Sequence, residues 1–73
     1  MKLSIFVKEQ RRKANLTQPE LAEKAGVGLR LVREIEQGKE SLRIDKVNQV
    51  LLLFGYQVGP VLVNLEEENH ENR

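Results

Sequence analysis

Arg30 and Arg33 are the residues of this chain best equipped to meet a partner. They stand three apart in LRLVREIEQ, so a helix there carries both on one side. A guanidinium presents a planar fork of donors. That fork fits a phosphate, or the O6 and N7 edge of guanine, in bidentate fashion. Catalytic chemistry finds no comparable set. The 73 residues contain no cysteine, and the single histidine, His70, stands near the C-terminal end with no partner at ligand spacing. A metal site is therefore not expected. Glu9, Glu20, Glu23, Glu34 and Glu36 sit among basic residues at helical spacing, where ion pairing accounts for them. There is no glycine-rich phosphate loop. The reading is of a non-enzyme without metal or cofactor.

The elements that must position the arginines are legible around them. Thr17 and Glu20 form a T-x-x-E capping box, with Pro19 in the first turn, so a helix starts at Thr17. Leu21, Ala22 and Ala25 face inward, and Gly26 sits where a left-handed residue would end that helix. Gly28 is the expected N-cap of the next helix, Leu29 to Gln37, with Val32 and Ile35 in the core and Gly38 as its stop. Two short helices joined at Gly26, the second carrying the arginines, are the layout of a helix-turn-helix.

A helix from Ser4 to Ala14 precedes this unit, with Leu3, Phe6, Val7 and Ala14 near one face and Asn15-Leu16 as the turn. A fourth helix is expected from Ile44 to Phe54. Its inward set is Ile44, Val47, Val50, Leu51 and Phe54, which leaves Leu52 and Leu53 surplus. YQVGPVLV, residues 56–63, switches to a strand-like pattern, and Pro60 confines it to an edge. A lone strand needs a partner, and the copy in a symmetric dimer supplies one. The apolar surplus Leu52, Leu53, Tyr56, Val58, Val61 and Val63 is thus read as a dimer surface. A monomer core closed by the C-terminal segment is the other reading.

Composition bounds the rest. Seventy-three residues make one small, marginal domain, which favours association. The divisions are 1–55 for the helical domain, 56–63 for the strand, and 64–73 for a tail read as disordered. Residues 1–63 carry 11 Lys and Arg against 7 Asp and Glu, a net of +4, while residues 64–73 carry 1 against 4. The body is mildly basic and the tail acidic. The lack of cysteine fits a reducing cytoplasm, and MKLSIFVKEQRRK reads neither as a signal peptide nor as a membrane span.

Residues 3–55 resemble the lambda-repressor-type (XRE) DNA-binding domain. The matching pieces are R-R-K before L-T-Q, then E-L-A-E-K-A-G-V, I-E-Q-G-K, and a helix ending F-G. GLRLVREIEQGKESLRIDKVNQVLLLFGYQVGP is further similar to HipB-type antitoxins. The resemblance implies an all-α, lambda-repressor-like four-helix domain with a short C-terminal β-strand paired across a homodimer. It also implies a repressor in the bacterial cytoplasm, at the nucleoid, that reads a pseudo-palindromic operator in double-stranded DNA, controls its own operon and binds a HipA-like kinase toxin. A stand-alone XRE regulator, or an interaction module without DNA binding, are the alternatives.

The family's reading positions fall on Gly28, Leu29, Arg30, Arg33 and Glu34. Arg30 and Arg33 then read guanine or grip phosphate, and Leu29 touches a thymine methyl. Gln18 matches a phosphate contact at a helix N-terminus. Lys39 and Arg43 flank a loop along the backbone. Arg11 and Glu36 match a structural ion pair from the first helix to the third. Three positions depart from the family: Gly28 for the usual Ser or Thr, Arg43 where Ser commonly caps, and Gln10 for Leu.

Overall fold

Four helices form where local capping chemistry allows them. The structure, a computed structural model, describes residues 2–63. They are α1 (Leu3–Lys13), α2 (Gln18–Ala25), α3 (Leu29–Gln37) and α4 (Ile44–Leu52). α1 ends because Asn15 takes a left-handed φ of 58°, which turns the chain toward α2. α2 opens on the capping box: the Glu20 N–H donates to Thr17 Oγ1 at 3.2 Å, and the Thr17 N–H donates to Glu20 Oε1 at 2.8 Å. Gly26 at φ 74° and Gly38 at φ 84° close α2 and α3 in the left-handed conformation.

The core is small and continuous: Val7, Leu21, Ala22, Val32, Ile35, Val47, Val50 and Leu51. α3 packs against each of the other three helices, so its inner stripe is the centre of the domain. Leu3, Phe6, Leu16, Leu42 and Phe54 close the edges of this core. No helix of the described residues is long and apolar enough to cross a membrane.

Three expectations from the sequence need correction. α4 stops at Leu52, not Phe54. Gly55 adopts φ 85°, and the Tyr56 N–H returns to the Leu51 carbonyl at 3.0 Å, so the last turn unwinds there. Phe54 still packs on the core from that turn. Ile44 does not face inward. It is the first residue of α4 and is 63% exposed, while Leu42 from the preceding loop packs against the core. Ala14 is exposed as the C-cap of α1. Residues 56–63 run without strand pairing inside their own chain, and the strand expected there is one paired across a dimer. The acidic tail and His70 lie outside the described residues.

Candidate nucleic-acid interface

The geometry of the turn between α2 and α3 decides what α3 presents. Gly26 leaves α2 through the left-handed region, and a β-carbon there would stand 3.2 Å from Gln49 Nε2. That amide explains the close approach. Gln49 reaches from α4 and donates to the carbonyls of Ala25 at 3.1 Å and Gly26 at 2.9 Å. One side chain thus satisfies two acceptors at the end of α2 and locks the turn that aims α3. Gln49→Ala should cost about 0.5–1.5 kcal/mol, the net worth of an ordinary hydrogen bond, because the Gly26 acceptor is open to water. Urea denaturation checks it; an unchanged midpoint would mean water replaces the amide without cost.

α3 has a clear division of faces. Val32, Ile35 and Glu36 point into the domain. Arg30 and Arg33 point out, and the Arg30 side chain is 90% exposed. Gly28 is exposed, with nothing near where its side chain would be. Leu29 is only half available, because it also packs against the core. Arg33 has no ion-pair partner among the described residues, whereas Arg30 and Lys39 share one. Arg30 Nε and Lys39 Nζ both donate to Glu34 Oε2, at 3.3 and 3.2 Å. Lys39 reaches back because Gly38 turns the chain and the Lys39 N–H closes on the Glu34 carbonyl at 3.0 Å. The hydrogen bond from Lys39 outweighs desolvation and, with the Arg30 bond and both charges, holds the Glu34 carboxyl below its ordinary range.

Gln18 and Arg43 are also engaged. Gln18 Nε2 donates to Glu36 Oε1 at 3.1 Å. Arg43 grips Asp45 with two bonds, Nε to Oδ1 at 3.2 Å and Nη2 to Oδ2 at 2.8 Å. Both Arg43 and Asp45 are mostly exposed, so this pair is weak.

Beneath this face lies the Arg11–Glu36 pair. Arg11 Nε donates to Glu36 Oε2 at 2.8 Å and Nη2 to Oε1 at 3.0 Å, while Nη1 donates to the Leu16 carbonyl at 2.9 Å. The Glu36 side chain is 2% exposed. Burial pushes its carboxyl up, but the bonds from Arg11 and Gln18 and the charges of Arg11 and Lys8 bring the net value below the ordinary one. The Arg11 guanidinium is held above its usual range, chiefly by its hydrogen bonds to Glu36.

The C-terminal surplus divides in two. Tyr56 meets Phe6 edge-to-face at 4.7 Å between ring centroids, and the Val58 N–H donates to Asn48 Oδ1. Residues 56–58 are therefore anchored to α1 and α4 of their own chain. Beyond them Val61, Leu62 and Val63 are exposed, as are Leu52 and Leu53. Asn48 and Gln49 were not singled out from sequence. Their only signal is two amides between the buried Val47 and Val50.

A capped helix, a glycine turn and a second helix with a basic outer face define a helix-turn-helix domain. The helix-turn-helix family matches residues 7–60, and the chain belongs to it. The chain is also similar to an uncharacterized HTH-type transcriptional regulator, y4mF, of Sinorhizobium fredii. The two are 43% identical over 56 residues, which cover 77% of this chain and 74% of that relative.

Proposed function

We propose that this chain is a dimeric, sequence-specific transcriptional repressor that also serves as the antitoxin of a HipA-like kinase and represses its own operon. The observation that carries the DNA-binding part is the outer face of α3. It sets Arg30 and Arg33 in solvent, beyond a turn fixed by Gly26 and Gln49. Such a helix enters the major groove with its N-terminal side chains on base edges. Gln18 and Arg43 flank it and supply phosphate contacts, and Lys39 stands beside Arg30 on the same carboxylate. The similar y4mF bears the description of a transcriptional regulator, in agreement with this reading.

A single α3 is a sparse reader. Two copies double the contacts and place half-site centres ~34 Å apart. The dimer surface in this reading is Leu52, Leu53 and the arm Val61–Val63, joined by the exposed sides of Tyr56 and Val58. Because the arm's root is anchored within its own chain, Val61→Ser with Val63→Ser tests dimerisation without disturbing the helices. Sedimentation should show a shift toward monomer and at least tenfold weaker operator binding. An unchanged dimer would remove the arm from the interface.

The toxin partnership rests on the sequence resemblance of α4, the F-G-Y ending and the short arm. Pull-down of the tagged chain from its native cells tests it. Recovery of a protein with a kinase fold is the expected result. Recovery of the homodimer alone would leave a stand-alone regulator. A gel shift on the DNA upstream of its own coding sequence tests the rest, and binding that ignores salt concentration would count against it.

A further inference from the structure

We propose that Glu34 is a positioning residue that aims Arg30 at a guanine edge and keeps Arg30 and Lys39 off random phosphates. The inference rests on the DNA-binding reading above and assigns a role within that surface. Its basis is which donor atoms Glu34 occupies. It takes Arg30 through Nε, at 3.3 Å. The Nη1 and Nη2 end of the guanidinium stays outward on a side chain that is 90% exposed. Those two nitrogens stay free for an end-on bidentate contact to guanine O6 and N7. A long, exposed arginine otherwise samples many rotamers, and ordering it on DNA costs entropy. A fixed Nε removes part of that cost before binding.

Lys39 completes the device. Its ammonium donates to the same Glu34 Oε2 at 3.2 Å. The shared carboxylate therefore holds two cations that would otherwise meet phosphate. On random DNA, either cation gains only by trading one exposed ion pair for another, and Glu34 repels the backbone that it approaches. At the correct base step, the Nη fork gains guanine without releasing Nε. Glu34 thus subtracts from non-specific binding more than from specific binding, which is how a repulsive element produces discrimination.

The test compares the wild-type chain with Glu34→Ala on two probes. One is a duplex selected by the wild-type chain from a randomised pool. The other is a scrambled duplex of the same composition. The substitution should lower affinity for the selected duplex and raise it for the scrambled one. The ratio should fall about threefold to fivefold, the scale of one exposed ion pair lost in each half of a dimer. The salt dependence on scrambled DNA should steepen as Arg30 and Lys39 are freed. Glu34→Gln should recover part of the ratio, since an amide oxygen still accepts from Nε. In an Arg30→Ala background the effect of Glu34→Ala on the selected duplex should shrink, because Glu34 acts there through Arg30. Equal loss on both probes, or no change on either, would overturn the proposal. So would an undiminished effect in the Arg30→Ala background, which would make Glu34 a direct base contact. A wild-type chain with no salt-sensitive duplex binding would instead remove the DNA-binding reading itself, and this role with it.

Discussion

Replacing Arg30 and Arg33 together with alanine should abolish sequence-specific DNA binding and leave the fold intact. Each bidentate arginine–guanine contact is worth ~1–3 kcal/mol of discrimination. In the proposed dimer both residues occur twice, and four base contacts at the lower figure would amount to roughly a thousandfold loss at the operator. The fold should not notice. Arg30 is 90% exposed, and its only partner among the described residues is a surface carboxylate. Arg33 is exposed and unpaired there. The melting temperature should therefore move by no more than a few degrees, in keeping with surface substitutions. The single variants separate two roles. A base contact relaxes the preference at one position of the site when removed. A phosphate contact weakens binding to all sequences alike and lowers the salt slope by about one per residue. Site selection with Arg33→Ala, followed by titration at two salt concentrations, assigns Arg33 to one of them. Unchanged operator affinity in the double variant would mean that α3 is not the reading helix.

What could be read in advance follows the range of the interactions. The bounds of α3 and the start of α2 were legible because the capping box and the glycines act within four residues of the ends they set. The end of α4 was not. Phe54 is apolar and in helical register, and only the backbone return from Tyr56 to Leu51 shows that the helix has already stopped. Gln49 and Asn48 bind groups 10 to 24 residues away, and nothing in their local sequence names those partners. The same distance hides the Arg11–Glu36 pair, 25 residues apart, which was accessible only through family resemblance. Lys39 is a middle case. It lies five residues after Glu34, outside helical pairing distance, and meets it only because Gly38 reverses the chain. The exposed face of α3 was therefore legible as a list of residues, while their pairing inside that face was not.

Arg11→Ala should be among the most damaging single substitutions to stability. It leaves the Glu36 carboxylate, 2% exposed, with Gln18 as its remaining hydrogen-bond donor. It also strips the Leu16 carbonyl of its side-chain donor. Breaking one side of a buried pair costs about 3–5 kcal/mol. For a domain of this size, ~3 kcal/mol lowers Tm by roughly 12–24 °C. That approaches the whole stability of a small domain. α1 would lose its polar tie to α3, while Gln18 keeps its bond to Glu36, so DNA binding should fall only as far as the fold does. The pH dependence identifies the cause. Because the native Glu36 value is depressed, the pair stabilises fully above the ordinary carboxylate range. Its contribution is lost as pH falls through the native value. In acid the wild type loses the charge pair and the variant no longer buries an unpaired carboxylate, so the two stabilities should converge. Arg11→Met combined with Glu36→Leu should recover much of the loss at neutral pH, since an apolar pair leaves no buried charge behind. A gap between wild type and Arg11→Ala that persists well below the carboxylate range would instead place the damage in lost packing of the arginine stem.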